Sequence, residues 1–381
     1  MTRPAGPAGG GITVPTVGVE EEFLLVDRRS RLPAGLAPVV VKAAADELGE
    51  QVQSEFFTSQ AEVCTRPVLT LADLRGELVR LRATLHEAAA DAGCRLVGTG
   101  MPVVTDGRPP GVTDTPRYRE IGELVGAVAA SPEGAVCGCH VHVGVECRAT
   151  ALALNNRLRP WLPVVQALAV NSPYSSGRDT GFASWRHAYY RRWPTVGPSP
   201  RLDEPAYRAT VARLLDSGVI LDPAMIYWYS RPSEHVPTLE TRVTDSNADV
   251  DTTVLVAALL RGLAATLLAE PADAAAQDSD GHGGGRTELL EAHWSAAVHG
   301  LGATAHDPGT GRILPMDALV DRLVERARPG LEAAGDLATV RRLLAALRAA
   351  GTGADRQRAA FARHGRFHDV VDELAAVTAA G

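Results

Sequence analysis

Four short segments of the chain place charged or histidine side chains at alternate positions, and this pattern limits the fold more than any other feature of the sequence. Successive side chains of a β-strand point to opposite faces, so residues i and i+2 share a face about 6.5–7 Å apart. In Val17–Asp27, Glu20 and Glu22 would share one face, while Val19 and Phe23 would share the other. This segment therefore predicts a strand with one polar and one apolar face.

The same alternation recurs in three later segments. The residues on their predicted polar faces are Glu62 in Gln60–Cys64, His140 and His142 in Cys139–Val143, and Glu240 and Arg242 in Leu239–Val243. An antiparallel sheet with one solvated side would account for any one of these strands taken alone. Taken together, the strands predict a sheet whose polar face collects glutamates, histidines and an arginine.

Four glutamates on one sheet face would repel one another unless cations neutralised them. Oxygen ligands with one histidine suit Mg²⁺ or Mn²⁺, which also bind phosphate oxygens. The more specific hypothesis is therefore a metal-binding pocket lined by the polar face of the sheet. A zinc site in Cys137-x-Cys139-His140-x-His142 is an alternative, but this spacing is tighter than in the usual zinc knuckle and no second cysteine pair follows. Buried thiols are the default interpretation.

The order of the predicted elements favours an α+β fold rather than a doubly wound parallel sheet. Strand patterns cover Val17–Asp27, Ser54–Thr65 and Val136–Val145, and strand character continues in Tyr227–Thr244. An amphipathic helix lies between them. Thr70 and Asp73 form a capping pair at its start. Its leucines recur every three or four residues, at Leu71, Leu74, Leu78, Leu81 and Leu85.

We expect a flexible N-terminus at residues 1–15 and a single domain over residues 16–381. The N-terminus is rich in glycine and proline and lacks the apolar core of a signal peptide. Pro173–Pro200 is predicted to be a long loop, which in a compact domain is more often functional than idle. The glycine-rich residues 271–286 predict a mobile loop, and residues 287–381 a helical C-terminal part.

Composition and charge point to a cytoplasmic enzyme. The 381 residues carry a formal charge of −7, which argues against a general nucleic-acid binder. No stretch is expected to span a membrane, because Arg261 and Gly262 interrupt the most apolar one, Val254–Ala269. Five cysteines, an odd number, argue against a disulfide framework. A homodimer is the expected state for an enzyme of this size.

A set of short motifs, in a fixed order, resembles the carboxylate–amine ligases related to glutamate–cysteine ligase. The motifs are Thr16–Asp27, Ser59–Glu62, Gly138–Gly144, Asn171–Pro173, Gly177–Gly181, Ser184–Arg186, Pro237–Val243 and Gly351–Arg358. The similarity runs from Thr16 to Leu374. Each motif is short on its own, whereas the ordered set is specific.

This resemblance implies a fold like the catalytic domain of glutamine synthetase, with a curved antiparallel sheet of about six strands backed by helices. It implies that ATP and Mg²⁺ bind on the concave face of the sheet. The metal ligands or their close neighbours would be Glu20, Glu22, Glu62, His140 and Glu240. Arg242 would meet phosphate, while Arg186 and Arg178 would meet phosphate or the substrate carboxylate. Asn171 would complete the nucleotide site, and Glu21, on the opposite face, would not be a ligand.

The implied reaction joins a glutamate-like carboxylate to an amine, of cysteine or of another amino acid, through an acyl phosphate made from ATP. Such ligases often carry two arginines where this chain has Ser295 and Val298, so we expect another cation, such as Arg286, or a different substrate. Two alternatives stay open. One is an inactive homologue that binds a nucleotide or metabolite, and the other is a two-metal hydrolase that needs no nucleotide.

Overall fold

The computed structural model describes residues 12–270 and 285–381. In chain order the strands are β1 (Val17–Asp27), β2 (Val52–Ser54), β3 (Gln60–Cys64), β4 (Cys94–Val97), β5 (Gly138–Gly144), β6 (Tyr174–Ser175), β7 (Arg178–Asp179), β8 (Ser230–Pro232), β9 (Thr238–Asp245), β10 (Thr304–His306) and β11 (Ile313–Pro315). Every segment with a predicted strand pattern contains a strand. The first of them, β1, has the predicted bounds.

Seven of these strands form one sheet around β1. Its order is β2-β3-β1-β5-β9-β8, and β4 pairs with the C-terminal end of β1. All pairs in this sheet are antiparallel. The predicted α+β class with an antiparallel sheet is therefore confirmed, with one strand more than the six expected.

Helices cover the apolar face of the sheet and build most of the C-terminal part. They are α1 (Ala37–Leu48), α2 (Leu71–Asp91), α3 (Pro116–Val125), α4 (Arg148–Leu158), α5 (Leu162–Leu168), α6 (Trp185–Tyr190), α7 (Glu204–Asp216), α8 (Val250–Ala269), α9 (Arg286–His299), α10 (Met316–Ala333), α11 (Leu337–Ala350), α12 (Gly353–His364) and α13 (Phe367–Ala380). The predicted cap of α2 forms, because Thr70 Oγ1 accepts the Asp73 N–H at 3.1 Å.

The alternation along β1 decides which face is buried. Val19 packs with Val141 of β5 and with leucines of α2 and α8 in the largest hydrophobic cluster. Phe23 and Leu25 pack with α1 and with the second half of α2. Because this face is covered by helices, the glutamates at alternate positions are left on the opposite face of the sheet.

The central helix α8 is long and apolar enough to cross a membrane by length and composition, contrary to the expectation that Arg261 and Gly262 interrupt it. However, 89% of its most apolar window is buried inside the protein, as in a core helix. Buried Arg261 is tolerated because it pairs with Asp336 and donates to the Leu69 carbonyl at 2.6 Å.

The structure adds secondary structure to two of the predicted segments. Pro173–Pro200 is not a bare loop, because it contains the β6–β7 hairpin and α6. The C-terminal part is helical as expected but also contains the β10–β11 hairpin. Residues 1–11 of the predicted flexible terminus and residues 271–284 of the predicted mobile loop lie outside the described residues.

Candidate active site

The strand registers bring the predicted polar positions together on one face of the sheet. Residues directly opposite each other on paired strands point to the same face. The opposed pairs are Glu22 with Glu62, Glu20 with His140, and His142 with Glu240. Four adjacent strands therefore supply the five residues predicted as metal ligands. Glu21 points the other way, into a buried ion pair with Arg82.

Two histidine rings lie among the carboxylates. His140 Nδ1 is 3.1 Å from Glu20 Oε2, and its Nε2 is 3.6 Å from Glu22 Oε1. His142 Nε2 is 3.2 Å from Glu20 Oε1, and its Nδ1 is 2.8 Å from Thr238 Oγ1, which fixes the ring. Glu20 thus stands between both histidines.

Three overlapping groups of side chains on this face have ligand atoms close enough together to hold a divalent cation, within 4.8 Å of one another. They are Glu22, Glu62 and His140; Glu20, His142 and Glu240; and Glu20, Glu62 and Cys64. Burial raises the pKa of the Cys64 thiol, so the first two groups are the better candidates. His140 Nε2 is buried and has no hydrogen-bond partner among the described residues. An unsatisfied nitrogen within an oxygen-rich donor set fits Mg²⁺ or Mn²⁺.

Crowding of charge on this face is visible in the carboxylate pKa values. Burial, reinforced by the charges of neighbouring carboxylates, raises the pKa of Glu62 well above its usual range. Burial also raises the pKa of Glu22. Burial acts in the same direction on Glu20, but hydrogen bonds with His140 and His142 outweigh it and lower the pKa of that carboxyl. Bound cations would favour the charged form of all three carboxylates.

The cysteines do not form the alternative zinc site. Cys139 and His140 are adjacent on β5 and point to opposite faces, so Cys139 lies in the hydrophobic core. Cys137 is buried too, with its Sγ 3.4 Å from Gln60 Nε2. Burial raises the pKa of both thiols, so they stay protonated at neutral pH.

Two arginines flank Glu240. Arg231 lies opposite Glu240 in the β8–β9 pair, with Nε 2.7 Å from Oε2. Arg242, two residues along β9, pairs with the other carboxylate oxygen and lies 3.3 Å from His140 Nδ1. Although burial opposes ionisation, these two arginines hold the pKa of Glu240 well below its usual range. Positive charge therefore lies directly beside the candidate metal ligands.

Arg186 reaches the same region from α6. It is 3% exposed, and its Nε has no hydrogen-bond partner among the described residues. Its guanidinium lies against the backbone of β5, where a Cβ at Gly138 would collide with Nη2. A buried guanidinium with an unused donor is suited to binding an anion.

A cavity of about 480 Å³ covers this face of the sheet. The glutamates and histidines form its floor, and Phe56, Tyr118, Trp193 and Tyr227 line it with aromatic rings. Phe56 meets Tyr118 and Trp193 edge to face, with centroids 5.5 and 5.3 Å apart. Small-molecule sites have a similar volume, about 300–1,000 Å³, but this cavity carries many more charged groups than the mostly apolar lining that is usual for them.

Two predicted site residues, Arg178 and Asn171, do not line this cavity. Arg178 is exposed on β7 and lies 3.2 Å from Glu133. The Asn171 amide donates to the backbone carbonyls of Gly98 and Ser246. Neither side chain is therefore placed to contact a nucleotide in this cavity, and the function proposed below does not rest on them. Their motifs match the family, but a motif does not say which way each side chain points.

Ser295, Val298 and Arg286 also lie away from the cavity lining. Ser295 Oγ donates to the Thr304 carbonyl at 2.9 Å, and Arg286 is exposed at the start of α9. Arg286, the candidate for an additional cation, therefore lies outside this cavity.

Several cavity residues were not among the predicted site residues, although His142 was already placed on the polar face. They are Glu55, Arg117, His142 and Arg231. His142 shares a strand face with His140 and could have been chosen with it. Arg231 lies on a strand of three residues, which is too short to show a period, and Glu55 and Arg117 lie outside the strands.

Comparison with known proteins agrees with the resemblance read from the motifs. A model of glutamate–cysteine ligase family 2 (GCS2) matches residues 16–373. The chain belongs to glutamate–cysteine ligase family 2.

Relatives in GCS2 cover nearly the whole chain. A protein of Saccharopolyspora erythraea, provisionally named glutamate–cysteine ligase 2-1, is 44% identical over 360 residues, which are 94% of this chain and 93% of that protein. A protein of Salinispora tropica, provisionally named glutamate–cysteine ligase 2, is 46% identical over 366 residues, 95% of each chain. Membership of GCS2 makes the chain an ATP-dependent carboxylate–amine ligase for small-molecule substrates.

Solved structures share the GCS2 fold at low identity. The glutamate–cysteine ligase of Francisella tularensis, in complex with AMP, has a TM-score of 0.71 at 12% identity and covers 97% of this chain and 90% of that chain. A bifunctional glutathione synthetase of Pasteurella multocida has a TM-score of 0.69 at 15% identity and covers 96% of this chain. The alignment takes in 52% of that bifunctional chain, about half its length.

Proposed function

We propose that the chain joins a glutamate-like carboxylate to the amine of cysteine, or of another amino acid or amine, through an acyl-phosphate intermediate. One observation supports this most strongly: five candidate metal ligands from four strands face a cavity whose other charged groups include arginines. Amide formation in water is unfavourable, so the carboxylate has to be activated first. Transfer of the γ-phosphoryl group of ATP activates it and requires positioning and charge neutralisation rather than a protein nucleophile.

The metal ions in this proposal are Mg²⁺, or Mn²⁺ in its place. Their ligands would be Glu20, Glu22, Glu62, His140 and Glu240. When bound, such ions would neutralise phosphate charge and lower the repulsion between ATP and the acid substrate. His142, fixed by Thr238, would orient Glu20 from the side.

The arginines would bind the anionic groups of the substrates. Arg242 lies beside Glu240 and His140, where it would meet phosphate placed over the acidic face. Arg186 would receive a phosphate oxygen or the carboxylate of the acid. Trp193 and Tyr190, which the Pro173–Pro200 segment contributes to the cavity wall, would help to keep water away from the acyl phosphate.

We expect ADP release only when ATP, Mg²⁺, an acid and an amine are all present. Glutamate with cysteine is the first pair to test, followed by a panel of other amino acids and amines. Omitting Mg²⁺ should lower the rate by at least about 100-fold, because the acidic floor repels phosphate without cations. Mn²⁺ should restore turnover. Nucleotide binding without ADP release from any pair would support the inactive homologue, and hydrolysis without nucleotide would support the two-metal hydrolase.

Arg242→Ala should lower kcat/KM by an amount that corresponds to a loss of about 2–4 kcal/mol of transition-state stabilisation. This is the loss expected when one donor to a developing anion is removed. The measurement is steady-state ADP release with the best substrate pair. Arg178→Ala is the matched control and should stay within about twofold of the parent rate, because Arg178 is exposed and outside the cavity. A change below tenfold for Arg242→Ala would contradict its role.

Ser295 and Val298 were the features that favoured an inactive homologue, and neither lines the cavity. The ligase therefore remains the function that the site supports best. A single domain over residues 16–381, a cytoplasmic location and a homodimer stay predictions. Light scattering on the purified protein would test the homodimer directly.

A further inference from the structure

The charge of Arg186 is balanced differently from that of the other arginines in the cavity. Its Nη1 lies 4.0 Å from Asp245 Oδ1, beyond hydrogen-bond distance, and the two side chains are 4% and 1% exposed. The other cavity arginines each contact a carboxylate at 2.7 Å or less. Arg186 is thus held near a buried carboxylate that does not occupy its hydrogen-bond donors.

Asp245 is connected to α6 through two serine hydroxyls. Ser172 Oγ and Ser184 Oγ donate to the Asp245 carboxylate at 2.7 and 2.8 Å. The same two oxygens accept backbone N–H groups from the first turn of α6, that of Arg186 at 3.1 Å and that of His187 at 3.3 Å. Each serine therefore bridges the carboxylate and the start of the helix that carries Arg186.

The Arg186 guanidinium is also held on the side that faces strand β5. Gly138 leaves the space that Arg186 occupies, since a Cβ there would collide with Nη2. The Gly138 N–H donates to Glu22 Oε2 at 2.6 Å, so the same glycine positions a candidate metal ligand. Asp245 itself is packed against Gly100, where a Cβ would lie 2.7 Å from its Cγ. The carboxylate and the guanidinium are therefore packed closely against the backbone at Gly100 and Gly138, while the guanidinium also lines the cavity.

We propose that Asp245 is a positioning residue that fixes the start of α6, so that Arg186 presents its guanidinium to the cavity as a receptor for an anionic substrate group. Asp245 acts through Ser172, Ser184 and the first turn of α6. Its charge offsets the burial of the arginine, while the 4.0 Å gap leaves the arginine donors available. This inference rests on the proposed function, because it takes the ligand of Arg186 to be a substrate anion.

The proposal is tested by comparing two variants, Asp245→Asn and Arg186→Lys. Asparagine keeps the shape but replaces one acceptor oxygen by a donor, and lysine keeps the charge but loses the planar fork. With Mg²⁺, ATP and the best acid–amine pair, both variants should raise the same KM, for ATP or for the acid, by about tenfold. The kcat should change less than KM. A fall in kcat with both KM values unchanged would overturn the proposal.

A double-mutant cycle separates positioning from a general structural role. In an Arg186→Ala background, Asp245→Asn should change kcat/KM by less than about twofold, because its effect passes through Arg186. Full additivity of the two losses would overturn the proposal. Ser184→Ala should reproduce part of the Asp245→Asn effect, and Ser184→Thr, which retains the hydroxyl, should restore the parent value.

An activity-independent readout keeps this proposal separable from the proposed function. The NMR signal of the Arg186 Nε–H, assigned by its absence in Arg186→Lys, should shift and broaden in Asp245→Asn; an unchanged signal would overturn the proposal. Asp336→Asn is the control, because Asp336 is buried and paired with Arg261 outside the cavity. It should lower the unfolding temperature and leave KM and the signal unchanged. A parent protein without ADP release would refute the proposed function, and this signal would still test the positioning.

Discussion

Glu20→Gln should lower the rate of ADP release by at least about 100-fold and leave the fold intact. Glu20 lies opposite His140 in the β1–β5 register, and its two carboxylate oxygens lie 3.1 and 3.2 Å from His140 and His142. Glutamine has the same size and can accept a hydrogen bond, but it lacks the charge that helps to hold a divalent cation. The measurement is ADP release at saturating substrate and Mg²⁺.

The same substitution should change the stability of the metal-free protein only slightly, because two effects oppose each other. Removing the charge of Glu20 lessens its repulsion of Glu62, but it also weakens the hydrogen bonds with His140 and His142 that lower the pKa of Glu20 and stabilise its charged form in the folded state. We expect an unchanged or slightly lower unfolding temperature without metal and a smaller stabilisation by Mg²⁺ or Mn²⁺. Glu50→Gln, at an exposed site outside the cavity, should keep the rate within about twofold. A fully active Glu20→Gln protein would remove Glu20 from the metal site.

The sequence predicted the parts of this fold that depend on local periodicity. The two faces of β1 follow from side chains alternating along one strand, and the buried face of α2 follows from leucines spaced by three and four. The strand registers could not be predicted, because they depend on contacts between segments far apart in the chain. They are what place Glu22 opposite Glu62 and His142 opposite Glu240.

The candidate site shows the same limit. Residues on long strands were chosen correctly as members of one face, because a strand fixes the direction of each side chain. Arg178 and Asn171 were chosen from motif similarity alone, and the structure turns both away from the cavity. Arg231 was missed because its place opposite Glu240 comes from pairing with β9 and not from any pattern in its own strand.

Arg82→Met should lower the free energy of unfolding by about 3–5 kcal/mol, because it leaves the carboxylate of Glu21 buried without a charged partner, with only the Thr253 hydroxyl donating to it. Arg82 and Glu21 are 1% and 0% exposed, and Arg82 donates to both Glu21 oxygens at 2.6 and 2.8 Å. It also donates to the Ala248 carbonyl at 2.6 Å, which ties α2 to the start of α8. Urea unfolding followed by circular dichroism measures the loss.

Removing both partners should be less harmful than removing one. Arg82→Met with Glu21→Leu should regain most of the lost stability, because no unpaired charge remains in the core. Arg75→Ala, at an exposed pair with Asp251, should cost less than about 1 kcal/mol. If the double variant is no more stable than Arg82→Met, the lost free energy of unfolding comes from packing and not from the unpaired charge. Because Glu20 and Glu21 are neighbours on opposite faces of β1, we expect Glu20→Gln to remove turnover and spare the fold, and Arg82→Met to weaken the fold and spare KM.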